Sequence, residues 1–429
     1  AYTLDDVNLT DEWRAADQYL AMGQATSVRG LLTVEEKYLA TPEFNTMAAD
    51  KHGNALYSDV GDTPNVSSRL IQACLPPGQA TEVYQETGLI TLDGTTTACA
   101  WGTDKGTPVP AIFDGSQEPH TIRTDYVENS NDSYWLANPG DPFPAYSPII
   151  GPVDYPQGLR TRLGNMMIAE RVAGTDGLGQ PKFTVPTMQA MWEGDRSLLA
   201  ELALTSLVSA CEKAPVQKAS DGTTVDLTAA CRALAGYEKY ENGDLDASGG
   251  WLFTQWADTL TSGQIWTVPF NPSQPLTTPN TLDVANPDVL RALADAVLGL
   301  QASHIALTAT FGQVQHATRG RDVIPVHGCS GAIGCFNVIE TSTGPGNPFT
   351  PGDYGEADRG SSLVMTTELT PGGPVSEGIL TYSQATNPLS PWYANMTKLY
   401  SQKKWVHLPY TPAQLAAQPG NHTVVLTTS

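Results

Sequence analysis

Helical and strand-like periods alternate along this chain without a regular rhythm. Thr10-Asp-Glu-Trp-Arg opens a helix predicted over 10–26: a Thr cap, two acids in the first turn, then Trp13, Ala16, Leu20 and Met22 at near-helical spacing. A second amphipathic piece follows at LLTVEEKYLA. FNTMAA and ALYSDV then carry strand-compatible residues on either side of Asp50-Lys-His-Gly53-Asn54, which predicts a hairpin. The Gly/Pro/Thr-rich stretch 75–125 holds short strand-like runs, and TDYVENSNDSYW reads as a strand ending in a polar turn. The prolines of NPGDPFPAYSPIIGPVDYP exclude both helix and central strand.

Beyond that segment the period becomes helical. A helix is predicted from Arg160 until Gly174 stops it, and 187–213 and 223–237 form two further helical segments. Asn286-Pro-Asp-Val starts another that runs to about Leu300, with Pro at an early helical position and Asp in the first turn. From 320 the chain returns to strand-like runs between glycine turns: IPVHGCSGAIGCFNVIET, SSLVMTTEL and GILTYSQ. No internal repeat, βαβ rhythm or phosphate-cradling glycine loop is present in the sequence. The expected fold class is α+β, a layered domain with a helical insertion, in three parts: 1–186, 187–310 and 311–429.

Composition narrows this picture. With 429 residues, 40% apolar and 16% charged, the chain is long enough for one large core or two ordinary ones, and its 39 Gly and 32 Pro make it loop-rich. A net charge of −22 repels nucleic-acid phosphates, and no Lys/Arg stripe overrides it. The same acidity serves solubility. No apolar stretch approaches the ~18 residues of a membrane span, and the start AYTLDDVN lacks the pattern of a signal peptide. The six cysteines fall into close pairs, Cys74 with Cys99, Cys211 with Cys231, and Cys329 with Cys335. Proximity suggests three local disulfides and hence an oxidising compartment, the extracellular space or the periplasm, while the absence of a CxxC argues against zinc.

Four separated segments carry a resemblance: FNTMAADKHGNALYSDVG at 44–61, ENSNDSYWLANP at 128–139, IPVHGCSGAIGCFN at 324–337, and GSSLVMTTEL followed by TYSQATNPLSPWYANMTKLYSQKKWVHLPYT. In this order they resemble the penicillin acylase family of N-terminal-nucleophile amidohydrolases, in its lipopeptide and acyl-homoserine-lactone acylase branch. The resemblance implies a four-layer αββα sandwich, autocatalytic cleavage into two subunits, and a Ser that begins the larger one. That Ser attacks an amide carbonyl while its own α-amine, through a water, takes the proton. An α-amine pKa of about 7.7–8.0 suits one residue to both tasks. The chain itself begins with Ala1 and resembles the C-terminal part of the large subunit. The implied partners are therefore a small α subunit and the Ser-bearing segment of the β subunit, the latter with a nearby His and one backbone oxyanion donor.

Residue by residue, the resemblance assigns a side-chain oxyanion donor to Asn131, the second Asn of Asn129-Ser-Asn131. A neutral amide suits the task because it donates without a proton to lose, and removing such a donor costs about 2.7–4 kcal/mol in comparable sites. Read without the family, Asn-Ser-Asn-Asp is an ordinary turn. Asn131-Asp-Ser is also a glycosylation sequon, which would block a buried role if occupied. Arg162 matches the arginine that orients this Asn, with Arg160 the alternative two residues away, and the bland reading makes both solvated helix arginines. Phe44 matches a wall of the acyl pocket, or is plain core. His52 and His327 match no catalytic position and read as structural. The chemistry requires no cofactor; a structural Ca²⁺ is implied between subunits, with Asp141 as one corresponding ligand and the metal otherwise unassigned. The implied reaction releases an acyl chain from a cyclic lipopeptide, acyl-homoserine lactone, acyl amino acid or penicillin. A secreted carbohydrate- or peptide-binding protein, using its 16 Tyr and nine Trp as platforms, is the competing class. A glycosidase is a third, with no recognisable carboxylate pair to support it.

Overall fold

A computed structural model describes residues 2–7, 13–41, 44–237, 242–260, 264–341 and 355–425. They divide into two compact units, 1–155 and 156–429. Helix and sheet are mixed in both, so the class is α+β, and the largest sheets among the described residues have three strands.

In the first unit, α1 (Trp13–Met22) and α2 (Val28–Tyr38) precede the hairpin β1 (Thr46–Ala49) and β2 (Ala55–Ser58); then come α3 (Ser68–Cys74), α4 (Gln79–Thr87) and β3 (His120–Arg123). Thr10 and the acids proposed to start the first helix lie outside the described residues. The hairpin forms as its turn residues predict. Asp50 Oδ1 accepts from the backbone N–H groups of His52 (2.9 Å) and Asn54 (3.2 Å), and Gly53 supplies φ +82°. β2 is central, antiparallel to both neighbours. Because side chains alternate, Leu56 joins Val28, Leu32, Leu39, Val60 and Ile112 on the helix-covered face, while Tyr57 joins Tyr134 and Ala137 on the other. Gly61 closes the motif for steric reasons: a Cβ there would sit on the carbonyl oxygen of Thr41.

Two expectations fail here. Within 75–125, expected to hold short strand-like runs, Gln79–Thr87 is helical: QATEVYQET has no β-branched run, and Gly88 in the left-handed region stops it. TDYVENSNDSYW, expected as a strand, forms none: β3 ends just before it at Arg123, and Asn and Asp side chains turn the backbone that follows.

The second unit begins with α5 (Leu159–Ala173), α6 (Val185–Glu193), α7 (Leu198–Lys213), the ribbon β4 (Val216–Lys218) and β5 (Thr224–Asp226), and α8 (Thr228–Ala235). α9 (Gly250–Thr259), the ribbon β6 (Trp266–Val268) and β7 (Asn280–Leu282), α10 (Pro287–Ala302) and α11 (Phe311–Val314) follow. The C-terminal part holds β8 (His316–Arg319), β9 (Asp322–Pro325), β10 (Ile339–Thr341), β11 (Ala357–Gly360), β12 (Leu363–Thr370), β13 (Gly373–Leu380), α12 (Asn395–Tyr400), β14 (Val406–Leu408) and α13 (Pro412–Ala416). α5 ends at Gly174 with φ +68°, and Asn286 caps α10, both as predicted. A single core joins α7, α8, α9 and α10 around Leu207, Leu234, Trp251, Phe253, Trp256, Leu293 and Val297. The α9 segment, GWLFTQWADT, was not anticipated; its apolar residues surround the helix and give no one-sided stripe.

The helix expected across 187–213 is two helices. Asp195 takes φ +44° between them, and its buried carboxylate accepts from Asn337 Nδ2 (2.8 Å) and pairs with His327 Nδ1 (2.8 Å). His327 is thus structural and fully buried but not alone: Nε2 meets Tyr400 O at 3.1 Å, and its ring stacks on Tyr400. All three proximity pairs are disulfides, with Cα separations of 5.6 Å for Cys74–Cys99, 5.6 Å for Cys211–Cys231 and 5.5 Å for Cys329–Cys335. The second ties α7 to α8.

In the first unit, burial of carboxylates sets a pH dependence. Glu118, fully buried, accepts from Gly61 N–H (3.0 Å), and desolvation pushes its carboxyl up to about 8. Desolvation likewise lifts Asp59 to about 6. Both values lie above the unfolded ones, so folding takes up protons, and the stabilisation is complete below the unfolded values and lost as pH rises to about 8. The thermal midpoint should therefore fall between pH 5 and pH 8. Glu118→Gln should raise it at pH 8, by roughly 2–4 °C for each kcal/mol recovered, and leave it unchanged at pH 4.5. Scanning calorimetry at the two pH values checks this; an unaltered slope in the variant would assign the loss to other groups.

Candidate functional site

The site implied by sequence is built on the face of the three-stranded sheet away from α2. Tyr57, at the centre of β2, is fully buried, and its hydroxyl requires partners there. It donates to Asp59 Oδ2 (3.1 Å) and accepts from Asn45 Nδ2 (3.5 Å), with the Asn129 side chain nearby. Burial raises the phenol well above its ordinary value, so it stays neutral. One hydroxyl thus links the residue after Phe44 to the end of β2. Tyr134, Phe143 and Tyr146 pack edge to face around it, with ring centroids 5.4–6.3 Å apart.

The turn is fixed by its own side chains. Asn129 Oδ1 accepts from Asn131 N–H (2.8 Å), and Asn129 Nδ2 donates to Asp132 O (3.0 Å). Glu128 N–H donates to Ala137 O (2.8 Å), and Ser130 Oγ donates to the Glu128 carboxylate. Asn131 is held at φ +67°, a conformation that Asn tolerates better than other side chains, and it is exposed. Asn129 holds the turn in place, and Asn131 is exposed on it.

Phe44, read as pocket wall or core, is 67% exposed and so is not core within this chain. Arg162 and Arg160 belong to the second unit. Arg162 is 1% exposed, donating from Nε to Leu276 O (2.8 Å) and from Nη1 to Pro279 O (3.0 Å); desolvation lowers it to about 10. The solvated reading therefore fails for Arg162, because a segment more than a hundred residues away closes over it. Arg160 is half-buried near Gly331. Asp141 gives its carboxylate to Arg123 Nη1 (2.8 Å), and no group of three or more His, Cys, Asp or Glu among the described residues could hold a metal. No catalytic step is assigned to a metal. Tyr57 and Asp59 escaped sequence reasoning; the alternation of ALYSD was the available signal, since it puts a polar tip on a buried face.

Residues 1–417 match the family model described as penicillin amidase, and the chain belongs to that family. It is 43% identical over 425 residues to aculeacin-A acylase of Actinoplanes utahensis, covering 98% of this chain and 52% of that protein. Identity is 31% over 438 residues to the acyl-homoserine lactone acylase PvdQ of Pseudomonas putida (99% and 51%) and 29% over 434 residues to that of Pseudomonas syringae pv. syringae (99% and 52%). The chain spans about half the length of the curated relatives it matches. No helix among the described residues is long and apolar enough to cross a membrane.

If the Tyr57 hydroxyl organises the turn, Tyr57→Phe should cost about 1–3 kcal/mol by stranding buried polar partners. Hydrogen exchange at the Asn131 amide should accelerate. Urea unfolding and exchange mass spectrometry measure the two effects, and a stable variant with an unchanged Asn131 amide would remove Tyr57 from this role.

Proposed function

We propose that this chain is part of a secreted acylase that hydrolyses an amide bond and releases the acyl chain of an N-acylated substrate: a cyclic lipopeptide, acyl-homoserine lactone, acyl amino acid or penicillin. The observation that carries the proposal is the exposed Asn131, held at φ +67° by the Asn129 side chain. The family supports the acylase class, and the three disulfides support an exported protein.

In this scheme the nucleophile is an N-terminal Ser on a segment outside this chain, within a four-layer αββα sandwich completed by that segment and a small α subunit. Its hydroxyl oxygen adds to the amide carbonyl as the α-amine takes the proton. The carbonyl oxygen becomes an oxyanion, and the Asn131 amide donates to it. Collapse returns the proton to the departing nitrogen, leaving an acyl ester that water hydrolyses to the acid and free Ser. Asn131 suits the oxyanion because its turn is already ordered, so little reorganisation accompanies the charge. Phe44 is assigned to the acyl-pocket wall. An apolar pocket gains roughly 0.8 kcal/mol for each methylene buried, which favours long aliphatic chains.

The test uses the whole secreted enzyme with a palmitoyl anilide and penicillin V. Asn131→Ala should lower turnover about 10²–10³-fold without loss of folding, the scale for one oxyanion donor. Unchanged turnover would remove Asn131 from the chemistry, and activity on neither substrate would count against the acylase reading.

A further inference from the structure

In the second unit, β8 and β9 are joined by a two-residue turn, Gly320-Arg321, closed by the pair Arg319 and Asp322, with Gly320 at φ +66°. Arg319, Arg321 and Asp322 face the segment 388–398 across a cavity of about 490 Å³, whose far wall includes Tyr393, Asn395 and Lys398. Carboxylates outnumber cations 45 to 23 in this chain, so an arginine without an acidic neighbour is unusual. Yet three cations converge here on one carboxylate. Asp322 is taken by Lys398 at 2.5 Å, and among the described residues neither Arg319 nor Arg321 has a carboxylate at ion-pair distance.

The Arg319 guanidinium is also preorganised. It lies 5.6 Å from the ring centroid of Tyr382 and 6.0 Å from that of Tyr393, and Nη1 donates to Thr318 O at 2.9 Å. A planar cation flanked by two aromatic rings loses little freedom when it meets an anion. A second observation is independent of charge. Asn395 Oδ1 and the Tyr382 hydroxyl are buried without a hydrogen-bond partner among the described residues, so the wall of the cleft carries unsatisfied polar groups.

We propose that this cleft is a binding site for a small anion, a carboxylate or phosphate group carried on an apolar body. Arg319 and Arg321 receive the charged oxygens, and Tyr393 and Pro391 receive the body. Lys398 stays with Asp322 and sets the rim.

Calorimetric titration of the whole chain at low ionic strength with benzoate and with phenylphosphonate tests the site. Saturable binding of either probe is expected, and the tighter of the two identifies carboxylate or phosphoryl as the preferred group. Arg321→Ala, at an exposed turn with no fold role, should weaken binding about tenfold, the scale of a charge-assisted contact. Arg232→Ala, on α8, should leave it unchanged. No saturable binding of either probe overturns the proposal, and so does equal weakening by the two substitutions, which would mark nonspecific attraction. Arg321→Lys should recover only part of the affinity, because the ammonium lacks the planar fork; full recovery would replace recognition by guanidinium with a simple charge effect and overturn the assigned geometry.

Discussion

The first unit depends on a polar atom placed where an apolar one would be cheaper. Tyr57 stands in the middle strand of a sheet covered on both faces, and its hydroxyl cannot reach bulk water. A buried hydroxyl without partners costs free energy comparable to a lost hydrogen bond, so the surroundings must converge on it. Asn45 and Asp59 do so, one from before β1 and one from just after β2. Aromatic rings around Tyr134 exclude water and strengthen each of these bonds.

The second unit meets a similar demand with an ionisable cluster. Asp195, His327, Asn337 and Tyr400 are all buried and bonded to one another, and Lys403 reaches Asp195 at 3.3 Å and Asp244 at 2.9 Å. Losing one member would leave the others uncompensated in a low dielectric. This cluster breaks the long helical period after Glu193: Asp195 can reach His327 only from a left-handed residue between two helices. Here long-range polar satisfaction overrides a strong local propensity.

In both units the acidic balance of the chain is deceptive. Net charge describes the surface, but the carboxylates that matter to stability are internal and shifted by desolvation, as at Glu118 and Asp258. An acidic exterior and protonated interior acids act in the same direction, toward a fold that tolerates mild acid.

Local signals in the sequence determined much. The Asp50–Asn54 hairpin, the Gly174 stop, the Asn286 cap and the polar turn at 129–131 are written in a few contiguous residues, because capping and turn formation satisfy backbone groups within reach of one side chain. The cysteine pairs were legible for the same reason of short separation. Four motifs in order were enough to indicate the family. Tertiary structure alone decided what each polar residue does when buried. It placed Tyr57 against Asn129, closed Leu276 and Pro279 over Arg162, broke a helix at Asp195 and left Phe44 exposed. None of these contacts is local, and the free energy of a buried hydrogen bond depends on which distant groups share its interior, a property that spacing along the chain does not carry.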